Sequence, residues 1–470
     1  MKVEQIYTGC LAQGAYYIES NGEAAVIDPL REVEEYIELA NERGAKIKYI
    51  FETHFHADFV SGHVTLSEKT GAPIIYGPTA QPSFDCVIAE DNQEFKLGDV
   101  TIKVLHTPGH TMESTCFLLL DENGKENALF SGDTLFLGDV GRPDLAQKAA
   151  SMTERDLAGI LFESLRNKIM TLPNEVTVYP GHGAGSACGK NMSKETVGSI
   201  GEQKESNYAL RADMTKEEFI DEVTDGLLPP PAYFPLNVKM NKVGYEDVSD
   251  VIKRGKTGLS PDALIAAAKE NNAVILDVRH QSDFAKGHVP GSIFIGLDGS
   301  FAPWVGAVIK DVEQAIVLVT PTDRLDETIT RLARVGFDQI LGHLEGGFES
   351  WKQSGKEVAS IETISAEAYA QLSPDDKGTV YDVRKSSEYL SEHIIDAENT
   401  PLDYIEDHLA SFSNDNKKFM HCAGGYRSII ANSILKSKGI HNIVDILGGF
   451  GAIKQVEEIK VTDYVCPSTL

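Results

Sequence analysis

The sequence predicts an α/β protein of several domains, and three observations lead there. Short apolar runs closed by turn residues alternate with stretches of helical spacing through the first half. The second half contains an internal repeat of roughly 100 residues, a normal domain size. The chain is 470 residues and 51.3 kDa, more than one hydrophobic core organises.

In residues 1–240, Ala24-Ala25-Val26-Ile27 before Asp28-Pro29 and Lys48-Tyr49-Ile50-Phe51 read as buried strands. Glu32 to Arg43 and Thr153 to Ile169 carry helical spacing. Pro229-Pro230-Pro231-Ala232-Tyr233-Phe234-Pro235 reads as a connector, because proline lacks the N–H that a helix interior or central strand needs. The expected order is a first domain over 1–240, a linker over 241–258, and repeat domains over 259–357 and 358–470. The repeat shows in Leu276-Asp277-Val278-Arg279 and Tyr381-Asp382-Val383-Arg384, then Phe284 and Tyr389, His288-Val289 and His393-Ile394, and Gly346-Gly347-Phe348 and Gly448-Gly449-Phe450. Each unit opens with a buried strand, then a helix and a second strand, which predicts a parallel sheet.

Composition excludes several functions. With 71 acidic against 43 basic residues the net charge is −28, a field that repels nucleic-acid backbones and anionic membranes. No apolar run reaches the ~18 residues of a membrane span. Residues 1–10 lack the apolar core of a secretory signal. The six cysteines form neither a disulfide framework nor a CxxC pair, which fits a reducing cytoplasm.

Four signals in the first domain point to a metal. Thr53-His54-Phe55-His56-Ala57-Asp58-Phe59 follows directly on a strand and puts three ligand-type side chains in one loop. Thr107-Pro108-Gly109-His110, Ser131-Gly132-Asp133-Thr134 and Tyr179-Pro180-Gly181-His182 each present a His or Asp after a glycine that lets the backbone bend. Together, HxHxD, GH, GD and GH resemble the metallo-β-lactamase superfamily over residues 1 to about 200. The resemblance implies an αββα sandwich with the metal between two sheets. The superfamily's usual HxHxDH ends here in Phe59, whose ring has no lone pair for a second metal, so a mononuclear site is expected.

His54, His110 and Asp133 then form a two-His, one-carboxylate set, which suits Fe(II) and O2 chemistry, with zinc and hydrolysis as the alternative. His56, Asp58 and His182 are expected to orient those ligands. Glu52 to Asp58, Thr107 to Thr111 and Phe136 to Leu145 are similar to persulfide dioxygenases within the superfamily. That similarity implies one Fe(II) per N-terminal domain on His54, His110 and Asp133, and oxidation of a low-molecular-weight thiol persulfide by O2 to sulfite. It also places Arg142 near the metal, as an oxyanion holder or as half of a structural salt bridge. Cys188, in the Gly-rich run Gly181 to Lys190, is either a reactive thiol near the site or a buried inert one.

In the last unit, Lys417 to His421 reads as a strand and Ile429 to Leu435 as part of a helix. Between them lies Cys422-Ala423-Gly424-Gly425-Tyr426-Arg427. A cysteine before a helix start is stabilised as thiolate by backbone N–H groups, and Arg427 adds donors for an oxyanion. Four residues separate Cys422 from Arg427, where phosphatase loops have five, and the whole pattern resembles rhodanese sulfurtransferases. The resemblance covers both C-terminal units, with Ala423, Gly424, Gly425 and Tyr426 as the substrate-binding loop. The first unit has no nucleophile, because no cysteine lies between Cys188 and Cys422. Its strand Ala315 to Thr320 runs into Pro321-Thr322-Asp323-Arg324, and it reads as a spacer or a non-catalytic surface.

The combined expectation is a cytoplasmic enzyme of sulfide detoxification, in which one site makes sulfite and Cys422 moves sulfane sulfur between persulfide and sulfite or thiosulfate. Its partners are small molecules, with a homo-oligomer compatible. The rival readings are a zinc thioester hydrolase of the glyoxalase II kind fused to a rhodanese, and a non-enzymatic sulfur carrier.

Overall fold

The structure, a computed structural model, describes residues 1–147, 151–227, 229–412 and 416–466. The chain divides into two compact units. One is Met1–Val248 with Lys310–Val312 and Leu332–Gly336; the other is Ser249–Ile309, Glu313–Arg331 and Phe337–Leu470.

The first unit is built on two six-stranded sheets. One runs in order β1 (Lys2–Thr8), β2 (Gln13–Ser20), β3 (Glu23–Ile27), β4 (Lys46–Glu52), β5 (Ile74–Tyr76), β6 (Val87–Ile88). The other runs from β12 (Gly198–Ser199) through β11 (Thr177–Pro180), β10 (Glu126–Gly132), β9 (Thr115–Leu120) and β8 (Val100–His106) to β7 (Glu94–Leu97). Alternate residues of both sheets, among them Tyr16, Ile18, Phe51, Ile102, Phe117 and Phe130, interlock in a shared core. The opposite faces bury Tyr17, Val26 and Ile50 with Tyr36 and Ala40 of helix Glu34–Arg43, and Leu118, Leu129 and Val178 with Ala158 and Leu161 of helix Glu154–Ser164. The result is the expected αββα sandwich.

Thr153 starts its helix with a reciprocal capping box to Asp156, and the helix continues through a π-turn over Leu165–Ile169. Pro235 sits in the first turn of helix Phe234–Val243, where the missing N–H costs nothing, so the proline-rich connector ends in a helix. The stretch expected as a linker, 241–258, carries helix Val248–Gly255.

The second unit holds two five-stranded sheets whose pairings are all parallel. Their orders correspond: β13 (Gly258–Leu259), β17 (Ile340–Leu344), β16 (Ile316–Val319), β14 (Val274–Asp277), β15 (Ile293–Phe294), and β18 (Glu362–Ile364), β22 (Ile443–Ile446), β21 (Lys418–His421), β19 (Val380–Asp382), β20 (Glu398–Asn399). The repeated residues build the same clamp twice. Arg279 pairs with Asp277 at 2.6 Å and donates to the Gly287 carbonyl at 2.8 Å; Arg384 does the same with Asp382 and the Glu392 carbonyl, at 2.6 and 2.8 Å. Each guanidinium covers the phenylalanine of the Gly-Gly-Phe motif, at 4.0 Å for Phe348 and 3.9 Å for Phe450. His288 stacks on Phe284 and His393 on Tyr389. Among the described residues no helix is long and apolar enough to cross a membrane.

Candidate active sites

All four metal-type signals lie just past strand ends: the His54–Phe59 loop after β4, His110 after β8, Asp133 after β10 and His182 after β11. His54 Nε2 and His110 Nε2 stand 3.8 and 3.7 Å from Asp133 Oδ2. Two ligands ~2.1 Å from one ion stand roughly 3.0–3.4 Å apart, so a shift of a few tenths of an ångström would close this set. Asp133 Oδ2 is buried and has no hydrogen-bond partner, which a bound cation would supply. The residues therefore fit a metal.

The surrounding groups set the ligand atoms. Thr53 Oγ1 donates to Asp28 Oδ2 at 2.8 Å, so it accepts from His54 Nδ1 at 3.0 Å. His110 Nδ1 donates to the Arg142 carbonyl at 2.8 Å. Both imidazoles thus turn a lone pair on Nε2 toward Asp133. His182 bridges two carboxylates, with Nδ1 2.8 Å from Asp133 Oδ1 and Nε2 2.8 Å from Asp58 Oδ2. Burial works against its charged form, but Asp133 and Asp58 outweigh burial and raise its pKa well above the usual value. Burial likewise opposes the Asp133 carboxylate, yet the charge and hydrogen bond of His182 hold it well below the usual range. Gly181 is needed for close approach rather than a bend, since a Cβ there would lie 2.6 Å from Asp133 Oδ1.

His56 turns away from this trio. Its Nε2 lies 3.1 Å from Asp28 Oδ1 and 3.6 Å from Glu52 Oε2. Asp28, Glu52, Ser61 and His63 form a buried polar layer with it, and Asn241 Nδ2 ties the loop by donating to the His56 and Phe59 carbonyls. Sequence reasoning missed this layer. Its signal was Asp28-Pro29 ending a buried strand, a carboxylate where an apolar run should stop.

Asp58, His182 and Cys188 form a second cluster of ligand-type atoms, all within 4.8 Å of one another. Cys188 is buried, and burial, then Asp58 and Asp133, push its thiol pKa well above the usual value, which disfavours a free thiolate. Arg142 makes the salt bridge, with Nε and a terminal nitrogen at 2.6 and 2.7 Å from Asp144 and a further bond to the Ala187 carbonyl at 3.2 Å.

In the last repeat, Cys422 follows β21 and precedes helix Tyr426–Ser437. Gly425 adopts φ 95°, a left-handed conformation that suits glycine, and its N–H donates to Cys422 Sγ at 3.1 Å. Arg427 is held by both oxygens of Glu388, at 2.6 and 2.8 Å. The repeated Gly-Gly-Phe motif backs the loop: the Phe450 N–H donates to the Cys422 carbonyl at 2.7 Å and the Gly451 N–H to the Ala423 carbonyl at 3.1 Å. At the matching place in the first repeat, Arg324 pairs with Asp298 at 2.7 Å and Glu327 at 2.8 Å.

Fold and ligand clusters together define a metal-site sandwich domain joined to two parallel-sheet repeat domains. Residues 8–182 match the family model described as "Metallo-beta-lactamase superfamily", and residues 260–354 and 365–455 match "Rhodanese-like domain". A solved "Metallo-beta-lactamase from Staphylococcus aureus subsp. aureus COL" is 31% identical with a TM-score of 0.65, covering 73% of this chain and 98% of that one. The chain belongs to the metallo-beta-lactamase superfamily and carries two rhodanese-like domains. A hydroxyacylglutathione hydrolase of Rhizobium etli is 39% identical over 165 residues, 34% of this chain and 57% of that protein. The human mitochondrial persulfide dioxygenase ETHE1 is 28% identical over 221 residues, 47% of this chain and 78% of that protein. The chain thus spans less than two thirds of the length of the first of these relatives.

Proposed function

We propose that the protein oxidises a low-molecular-weight thiol persulfide with O2 and water to sulfite and thiol at one Fe(II), and transfers sulfane sulfur through Cys422, as a cytoplasmic enzyme of sulfide detoxification. The observation that carries the reading is the convergence of His54 Nε2, His110 Nε2 and Asp133 Oδ2, with Phe59 at the sequence position where a second metal would need an imidazole. The persulfide dioxygenase relatives and the rhodanese-like domains support it.

Iron held by His54, His110 and Asp133 would supply the redox step and the coordination of persulfide and oxygen. Around it, Thr53 and the Arg142 carbonyl fix the two imidazoles, and His182 fixes the free rotation of the carboxylate. At the second site, the Cys422 thiolate attacks the terminal sulfur of a persulfide, and the thiolate of the carrier leaves. Sulfite then attacks the sulfur bound to Cys422, so that thiosulfate departs and the Cys422 thiolate is restored. Loop N–H groups hold the negative charge, and Arg427 shares itself between Glu388 and the incoming anion.

A test loads the full chain with Fe(II), supplies glutathione persulfide, and follows O2 uptake with sulfite and thiosulfate in the same vial. Uptake with thiosulfate from the wild type and sulfite from Cys422→Ala is expected; iron-loaded protein that takes up no oxygen overturns the dioxygenase reading. A second reading, zinc-dependent thioester hydrolysis, draws on the Asp58, His182 and Cys188 cluster, which offers a second metal three donors. Hydrolysis of a glutathione thioester by the zinc-loaded chain would establish it.

A further inference from the structure

The repeat without a cysteine touches the loop of the repeat that has one. Tyr426, the last residue before Arg427, donates its hydroxyl to the Gly296 carbonyl at 2.7 Å. Its ring meets Phe294 edge-on at 5.7 Å. The fit over Gly299 is close enough that a Cβ there would lie 2.3 Å from the ring. The Phe294 N–H donates to Ser433 Oγ, on the helix that begins at Tyr426, at 3.0 Å. One apolar core joins Phe284 and Phe294 of the first repeat to Cys422, Ile429 and Ile430 of the second.

The segment that makes these contacts is itself braced. Arg324, in the position of a loop arginine, holds Asp298 at 2.7 Å, and Arg331 donates to the Leu297 carbonyl at 2.8 Å. A spacer needs neither bond. The braces fix the path of Gly296 to Gly299, that path fixes Tyr426, and Tyr426 follows directly on Gly425, whose N–H reaches Cys422 Sγ.

We infer that the first rhodanese-like repeat is a positioning element for the Cys422 loop, acting through the Gly296–Tyr426 hydrogen bond and the close seat at Gly299. This rests on the reading of Cys422 as the sulfur-carrying thiol. Tyr426 is here a positioning residue: burial raises its hydroxyl pKa, so it remains a donor to Gly296 at neutral pH, and it aligns a backbone N–H with the sulfur. Misaligning that N–H weakens its hold on the thiolate and raises the pH at which Cys422 ionises.

The test compares full-length wild type, Tyr426→Phe and Gly299→Ala. Tyr426→Phe removes one oxygen and keeps the ring; Gly299→Ala displaces the ring from a position outside the loop. Thiosulfate formation from glutathione persulfide and sulfite gives kcat and KM. Iodoacetamide labelling of Cys422 across pH, read on its own peptide by mass spectrometry, gives the ionisation midpoint. In Tyr426→Phe the expected result is about a fivefold or larger fall in kcat, with little change in KM for sulfite, and an upward move of the labelling midpoint. Wild-type midpoints in both variants overturn the inference, even if turnover falls, because loss of stability alone does not move the ionisation of the thiol. If Gly299→Ala does not fold, Tyr426→Phe decides alone. A wild type that makes no thiosulfate sinks the sulfurtransferase reading, and the labelling midpoints still decide this one.

Discussion

His182 shows how a residue that need not touch a metal can govern one. It stands between Asp133 and Asp58 at 2.8 Å from each, one imidazole paired with two buried carboxylates. Replacing it with alanine leaves both without that partner, so His182→Ala is expected to weaken metal retention by about 10- to 100-fold, read by competition with a chromogenic chelator. Unchanged retention would show that Asp133 holds its geometry unaided. A second residue carries a pH signature. Asp445, on β22, is buried near Ser428, and burial pushes its carboxyl up to about 7. A group whose folded pKa is raised contributes stability that is full below the unfolded value near 4 and is lost as pH rises through about 7. Asp445→Asn removes this dependence. Its advantage over the wild type in denaturant midpoint is expected to grow between pH 5 and pH 8 by on the order of 1–3 kcal/mol. An advantage equal at the two pH values would show that the carboxyl does not titrate in that window.

At the scale of the element, the Gly-Gly-Phe motif does different work in its two copies. A Cβ on Gly449 would lie 2.3 Å from the Cys422 carbonyl oxygen, whereas one on Gly347 meets nothing nearer than 3.4 Å. Both have positive φ, 56° and 63°. Gly449→Ala therefore has to move the Cys422 backbone, and thiosulfate formation is expected to fall at least about tenfold. Gly347→Ala bears only the backbone strain, about 1–2 kcal/mol, and sulfur transfer is expected to survive. Equal loss from the two substitutions, measured as thiosulfate yield and unfolding temperature, would refute this division. The motif itself is plain in the sequence, because it recurs at a fixed offset. Its purpose is not, because a hydrogen bond between Phe450 and Cys422 joins residues far apart in the chain.

For the molecule as a whole, the two proposed chemistries fall in separate compact units, with His54, His110 and Asp133 in one and Cys422 in the other. A chelator should therefore abolish oxygen uptake while sulfur transfer from persulfide to sulfite continues at the wild-type rate. Loss of both together would mean that the metal supports the second unit as well. On the proposed function, joining the two in one chain would raise the effective concentration of sulfite near Cys422 without any new contact.

Much of this was determined by the sequence alone, because it was written in local patterns. Strand and helix alternation identifies the α/β class, and the four motifs at strand ends mark His54, His110, Asp133 and His182. The strand, glycines and helix start around Cys422 mark the thiol loop. Only the tertiary structure decided which partners those residues have. It turned His56 toward Asp28 and Glu52, tied Arg142 to Asp144, brought Cys188 beside Asp58 and His182, and engaged Arg427 with Glu388. His56 and Asp28, Cys188 and Asp58, and Arg427 and Glu388 are far apart in sequence, and even the neighbours in the chain have several rotamers to choose from. Spacing along the chain names the residue types at a site. The packing of separate elements chooses the rotamers, and with them which donor meets which acceptor.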